Sequence, residues 1–259
     1  MTEAEGSDVS TVARSTSSVR ATIHLVLTCA LLILAIILSA LVVDVRQDVE
    51  TLNSGSDRDL YSPPADVERL IERVAESVVF IECYGWGSGF ALDLEGLDEG
   101  FQTFIVTNHH VIANCIEDSE ALKVYYGGED KNLTVSEIYG WDEENDLALL
   151  QIEAGLPVLA EAESFASTGW WTMAVGNPGL DGVPVINAAT FGHIVGVESE
   201  YFNYTSAIIN PGNSGGPLVN NRGELIGINS AGTVNDEDGL WHIAIDSEVL
   251  CVAVVDCGE

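Results

Sequence analysis

Residues 212–217 read Gly-Asn-Ser-Gly-Gly-Pro. A serine flanked by small, flexible residues can sit on a tight turn with its hydroxyl exposed. Such a turn can aim the backbone N–H groups of Gly212 and Ser214 at one point, where they would stabilise charge developing on a carbonyl under attack. Glycine reaches the backbone angles that the turn demands. The same residues are also ordinary loop formers between two strands, so the hexapeptide needs partners before it means chemistry.

A nucleophilic serine requires a base, and the base requires a group that orients it. The histidines are His24, His109, His110, His193 and His242. His24 lies in an apolar run. His109 and His110 sit in Phe104-Ile-Val-Thr-Asn-His-His-Val-Ile112, where an apolar strand gives way to a short polar turn. Among the many acids, Asp146 stands where the acidic loop Trp141-Asp-Glu-Glu-Asn enters the apolar run Leu147-Ala-Leu-Leu-Gln-Ile152. An aspartate there can be desolvated and still reach a histidine. Asp142, Glu143 and Glu144 are expected to face water.

With these residues in hand, the chain resembles the HtrA (Deg) type of trypsin-like serine protease. The resemblance rests on Trp86-Gly-Ser-Gly-Phe90, Thr107-Asn-His-His-Val111, Asp146-Leu-Ala-Leu-Leu150, Ala174-Val-Gly-Asn-Pro178, Ile209-Asn-Pro-Gly-Asn-Ser-Gly-Gly-Pro-Leu218 and Gly223-Glu-Leu-Ile-Gly-Ile-Asn229. These follow the family's order over roughly residues 76–247. The resemblance implies catalytic roles for Ser214 (nucleophile), His110 (base, in preference to His109) and Asp146 (orienting acid). It implies an oxyanion hole from Gly212 and Ser214, and no cofactor.

In the resembled family, the stretch before the nucleophile and a later strand wall the specificity pocket. Here these are Ile208, Ile209 and Asn210, with Ile228, Asn229, Ser230 and Ala231. None is charged, which implies a small apolar pocket favouring Val or Ala before the cut. Asn213 stands where digestive relatives have an aspartate that pairs with a freed N-terminus, so no zymogen cleavage is expected. Ser206 replaces an aspartate common in relatives. The chain stops at Glu259, so a PDZ domain is not expected within it. The expected substrates are peptides or unfolded proteins. A homo-oligomer is left open, since many relatives form trimers. A catalytically silent peptide-binding module of the same fold is the alternative reading.

Several elements must position these residues. From Val78 onward, short apolar runs alternate with Gly, Asn, Asp and Pro, a pattern that suits barrels better than a parallel sheet. The expected fold class is all-β, a chymotrypsin-like double β-barrel, with barrel one at about 76–155 and barrel two at about 168–247. A short helix should begin near Ala65-Asp66, with Val67, Leu70, Ile71 and Val74 at helical spacing.

Residues 1–20 read as a disordered cytoplasmic tail. Residues 44–65 read as a linker, and 66–259 as the protease domain. Between tail and linker, residues 21–43 contain no Asp, Glu, Lys or Arg. About 20 such residues suffice to span a bilayer core, whereas the apolar region of a signal peptide runs ~7–15. The expectation is a single transmembrane helix, with a cleaved signal peptide as the alternative. Arg14 and Arg20 precede the segment, and Arg46 follows among acids. This bias places the N-terminus in the cytoplasm and the protease domain outside the cell membrane.

Four cysteines lie past that segment: Cys83, Cys115, Cys251 and Cys257. In the resembled fold the places of the first two adjoin, which implies a Cys83–Cys115 bridge bracing the histidine loop. Cys251 and Cys257 can close a small C-terminal loop. Buried free thiols are the alternative, and a zinc site is disfavoured by spacing. The formal net charge is −32, which repels nucleic acid and anionic lipid. Acidic clusters such as Asp93–Glu99 lack calcium-loop spacing, so no metal is expected. Asn132 and Asn203 each begin an Asn-x-Thr glycosylation pattern.

Overall fold

The computed structural model describes residues 57–94, 103–127, 131–198, 201–233 and 241–255, together with Leu32, Leu34 and Leu38. Those three leucines are helical and exposed. The remainder of the expected span at 21–43, the tail at 1–20 and most of the linker lie outside the described residues. Among the described residues no helix is long and apolar enough to cross a membrane.

Helix α1, Val67–Ala75, forms as the periodicity predicts. The Asp66 carboxylate accepts the Arg69 N–H at 3.0 Å, a side-chain cap that satisfies one free donor of the first turn. Leu70 and Val74 are buried on its inner face. The chain before it is not linker up to residue 65. Residues Asp57–Tyr61 form a 3-10 helix, and Leu60 is buried in the second barrel's core beside Trp170 and Leu218. Asn221 Nδ2 donates to the carbonyls of Asp59 (2.6 Å) and Ser62 (2.8 Å). The compact unit therefore begins at Asp57, because an apolar side chain found room in that core.

The first sheet comprises β1 (Val78–Glu82), β2 (Trp86–Leu92), β3 (Thr103–Thr107), β4 (Lys123–Tyr126), β5 (Asn132–Leu133), β6 (Val135–Asp142) and β7 (Leu147–Ile152). Its seven strands run in the order β5-β4-β1-β2-β3-β7-β6. Among the described residues no ladder pairs the two edge strands β5 and β6, so this half is a half-barrel. Only Thr134 separates them in sequence, so the chain itself passes from one edge to the other and the sheet must curl to bring those edges together.

The second half holds β8 (Trp171–Gly176), a small hairpin of β9 (Gly179–Leu180) and β10 (Val183–Pro184), then β11 (Ala188–Glu198), β12 (Phe202–Thr205), β13 (Pro217–Asn220), β14 (Leu225–Thr233) and β15 (His242–Asp246). Six of these close a barrel in the order β11-β12-β15-β14-β13-β8.

Each half has its own apolar filling. A third cluster runs between them and joins Phe90 and Leu149 of the first to Met173 and Ile228 of the second. Asn203, one of the two glycosylation patterns, is fully buried. Its Nδ2 donates to the Ile226 carbonyl at 2.8 Å and to Asp246 Oδ2 at 2.9 Å, so it cannot carry a sugar in the folded chain. The arrangement is all-β, a curled seven-stranded sheet beside a closed six-stranded barrel.

Candidate active site

Helix α2, His109–Ile112, follows β3 directly. Asn108 occupies its N-cap position but makes no capping bond. Its Nδ2 instead donates to the Asp146 carbonyl at 2.8 Å. One amide thus ties the histidine turn to the aspartate turn. Asp146 sits at φ 53°, a left-handed angle that aspartate tolerates better than most residues. The turn before it is shaped by Asp142, whose carboxylate accepts the Asn145 N–H at 2.9 Å. That bond, ahead of a weaker opposing effect of burial, holds the Asp142 carboxyl below its ordinary pKa. Asp142, expected to face water, is part of the turn.

The result is a close pair. Nδ1 of His110 lies 2.8 Å from Oδ2 and 3.0 Å from Oδ1 of Asp146. The backbone N–H of His110 also donates to Oδ1 at 2.9 Å. A carboxylate so placed accepts the Nδ1 proton and leaves Nε2 free. A second-barrel residue completes this clamp: Ser230 Oγ donates to Asp146 Oδ2 at 3.2 Å. Ser230, expected on a pocket wall, thus braces the aspartate.

Ser214 lies in the second half and lines a cleft of about 320 Å³ together with His110. Its hydroxyl makes no hydrogen bond to the imidazole in this structure. Such bonds are commonly long in an empty site and tighten when substrate arrives. The turn around it can be accounted for group by group. Asn213 N–H donates to the Asn210 carbonyl, Gly215 N–H to Asn229 and Gly216 N–H to Asn213, at 2.9, 2.8 and 2.9 Å. Between Gly212 and Gly216, only the N–H groups of Gly212 and Ser214 have no acceptor among the described residues. The two amides expected to receive an oxyanion are thus unoccupied.

What holds this turn was not read from the sequence. Ser88 on β2 is fully buried, and every polar group it has is used. Its Oγ donates to the Gly212 carbonyl at 2.7 Å and accepts from the Asn177 N–H at 2.8 Å. Its N–H donates to the Ser214 carbonyl at 2.8 Å, and its carbonyl accepts from Thr107 Oγ1 at 2.7 Å. Close approach explains two glycines. A Cβ on Gly215 (φ 82°) would lie 2.2 Å from the Ser88 carbonyl oxygen, and one on Gly212 (φ 100°) 2.4 Å from that of Asn177. The Gly-Ser-Gly and Gly-Asn-Pro motifs were the available signal, legible as a resemblance but not as a contact.

The expected pocket residues are dispersed. Ile208 is 52% exposed, and its carbonyl accepts from Thr190 Oγ1 at 2.7 Å. Asn210 is exposed. The side chains of Ile209, Ile228 and Asn229 do not reach the cleft. The first two fill core clusters. The Asn229 amide donates to the carbonyls of Val175 (3.2 Å) and Pro217 (3.0 Å). Ala231 lies on β14. Cys83 and Cys115 form a disulfide with Cα atoms 5.9 Å apart. Cys251 is also disulfide-bonded, while Cys257, its expected partner, lies outside the described residues.

His242 was assigned no role. It lies on β15 beside the nucleophile loop. Burial lowers its pKa, and a hydrogen bond to the Ile209 backbone opposes this only in part.

A sequence profile of the trypsin-like peptidase domain matches residues 87–228. The chain belongs to that family. A "Probable periplasmic serine endoprotease DegP-like" of Chlamydia muridarum is 38% identical over 151 residues, covering 56% of this chain and 28% of that protein. A protein of the same description from Hahella chejuensis is 36% identical over 156 residues, covering 58% and 30%. The chain therefore spans under a third of the length of these relatives. Among solved structures, the serine endoprotease from Yersinia pestis superposes with a TM-score of 0.59 at 30% identity, over 74% of this chain and 66% of that one. Deg5 gives 0.54 at 30% identity, over 71% and 90%.

Two outcomes are expected. Ser88→Ala strands the Gly212 carbonyl and the Asn177 donors, and should cost about 1–3 kcal/mol in urea unfolding. A variant as stable as the parent would show that the seam does not depend on this hydroxyl. For His242, the folded chain resists protonation that the unfolded chain accepts from the ordinary value of 6.5 downward. Stability is therefore lost as pH falls below 6.5 and stops falling once the folded imidazole is protonated too. His242→Gln should flatten that part of a melting-temperature profile, and an unchanged slope would contradict it.

Proposed function

We propose that the chain is a serine endopeptidase in which Ser214, His110 and Asp146 act together. Ser214 Oγ attacks the peptide carbonyl carbon while His110 Nε2 takes its proton. The negative oxygen of the tetrahedral adduct is held by the N–H groups of Gly212 and Ser214. The C–N bond then breaks, and His110 returns the proton to the departing amine. Water, deprotonated by the same imidazole, releases the acyl group from Ser214. Asp146 keeps the imidazole in the Nδ1–H tautomer and stabilises its charged form, and Ser230 keeps Asp146 in place. No cofactor enters.

The 2.8 Å contact between His110 and Asp146 is the observation that carries this reading. Family membership and the two unused amides of the serine turn support it.

The finer features belong to the same proposal. Small apolar residues are preferred before the cut, in keeping with the uncharged character of Ile208 and Asn210. The buried Asn213 needs no charged partner, so activity requires no freed N-terminus. Residues 21–43 anchor the chain in the cell membrane with the N-terminus in the cytoplasm and the peptidase outside. The Cys83–Cys115 disulfide supports an oxidising compartment, and the two curated relatives are described as periplasmic.

A fluorophosphonate probe should label Ser214, and Ser214→Ala should lower turnover by up to about 10⁶-fold. Asp146→Asn should lower it by about 10⁴-fold. A folded chain that takes no label would be a silent peptide binder, and cleavage mainly after Lys or Arg would overturn the pocket assignment. Membranes washed in alkaline carbonate should retain the full-length chain, whereas release of a soluble form would contradict the anchor.

A further inference from the structure

Beside the catalytic cleft lies a second and larger opening, of about 510 Å³. The two share Tyr84, Gly85 and Trp86, so one peptide can run from one into the other. The cavity is built from both halves of the fold. On β1, Val79 and Ile81 point into the first core, which turns Phe80 and Glu82 outward. Tyr125 on β4 pairs with Phe80 in register, and their rings lie 5.9 Å apart. From the second half, Pro184 and Ile186 complete the walls. Aromatic and aliphatic carbon dominates, and among the described residues of the lining Glu82 is the one charged group.

Its parts are held. Tyr125 donates its hydroxyl to Glu82 Oε2 at 3.1 Å, and Tyr84 donates to Asp118 Oδ2 at 2.6 Å. The Trp86 indole N–H donates to the Asn177 carbonyl at 3.2 Å. Gly179, at the base of the β9–β10 hairpin, approaches the same indole so closely that a Cβ there would lie 2.8 Å from the ring. The Gly179 N–H donates to the Pro211 carbonyl at 3.0 Å, which joins this hairpin to the serine turn. The cavity therefore stands in fixed relation to Ser214.

The direction of the peptide follows from what lines the catalytic cleft. Its walls are the β1–β2 turn, the histidine helix with Val111, the 3-10 turn Ala113–Cys115 with Asn114, and the serine turn. No described residue of β14 contributes. In the function proposed above, the residue before the cut lies by Ile208 and Asn210, and neither lines this cleft. The half that leaves with the amine must then lie over the β1–β2 turn. An extended peptide points successive side chains to opposite sides. The first residue past the cut faces the Cys83–Val111–Asn114 wall, and the second faces the cavity.

We infer that this cavity is a specificity subsite for the second residue after the scissile bond, taking large apolar and above all aromatic side chains. Its dimensions and lining suit a phenyl ring. Glu82 at the rim and the strongly negative chain reject an acidic side chain in the same place. The subsite has meaning only if the chain is the endopeptidase proposed above.

The test uses internally quenched peptides with Val before the cut and Phe, Ala or Glu as the second residue after it. A peptide p-nitroanilide, which carries nothing past the cut, serves beside them. The parent chain should cleave the Phe peptide with kcat/KM about tenfold above the Ala peptide, from burial of the ring, with Glu poorest. In Ile186→Asp and separately in Tyr125→Ala the Phe-to-Ala ratio should fall toward one, with fluorophosphonate labelling of Ser214 reporting a folded centre in each. Equal rates for the three peptides in a chain that hydrolyses the p-nitroanilide overturn the subsite alone. A tenfold ratio that persists in both labelled variants overturns it as well. Failure to hydrolyse the p-nitroanilide or to label Ser214 overturns the endopeptidase reading and the subsite with it.

Discussion

The seam between the two halves of the fold is the constraint on which everything else depends. His110 and Asp146 belong to the first sheet, and Ser214 belongs to the second barrel. Among the described residues no strand ladder crosses from one to the other. From the first half, the serine turn is held by two hydrogen bonds of Ser88, its Oγ to the Gly212 carbonyl and its N–H to the Ser214 carbonyl. A buried hydroxyl with both roles satisfied is worth only about 0.5–1.5 kcal/mol net. Leaving its partners unpaired costs more, so the hub acts as a geometric constraint rather than a large store of energy. Asn177 extends it, donating through Nδ2 to the Val79 carbonyl at 3.0 Å and accepting the Asn187 N–H at 3.0 Å through Oδ1. A one-residue shift of β2 would misplace the oxyanion amides and the wall of the neighbouring cavity together.

Ser230 shows a second consequence of that seam. Its bond to Asp146 runs from the second barrel to the first, against the direction of the Ser88 contacts. The aspartate is therefore held by its own turn, by Asn108 and by the opposite half. Asn108 fixes the backbone of Asp146, while the His110 N–H and Ser230 Oγ fix its carboxylate, which lets an imidazole that is nearly half exposed keep a single orientation.

The fold class was legible because short apolar runs between turn residues leave few alternatives to barrels. The site was legible through local motifs, since a histidine at a strand end and an aspartate at a strand entry are local signals. Three things were not legible, each for a physical reason. Leu60 belongs to a core formed by residues far along the chain, so nothing around it announces burial. That Asn132–Leu133 and Val135–Asp142 lie at the two edges of one curled sheet depends on strand pairings far along the chain, which no local pattern announces. The side chains of Ile209, Ile228 and Asn229 have the right position in sequence for a pocket wall. Whether a strand residue turns inward depends on neighbours on both sides of it, and here the cores claimed them. The hub at Ser88 was named only as part of a motif, because a buried hydroxyl looks like any other serine until its partners are known.

The central claim is that Ser214, His110 and the two unused amides converge on one reacting carbonyl across this seam. A crystal structure of the chain with a peptide boronic acid tests it most directly. The account predicts a covalent bond from Ser214 Oγ to boron. One boronate oxygen should lie roughly 2.7–3.1 Å from the N–H groups of both Gly212 and Ser214, and another should face His110 Nε2. A boronate bound without that bond, or with its oxygens turned away from both amides, would contradict the account.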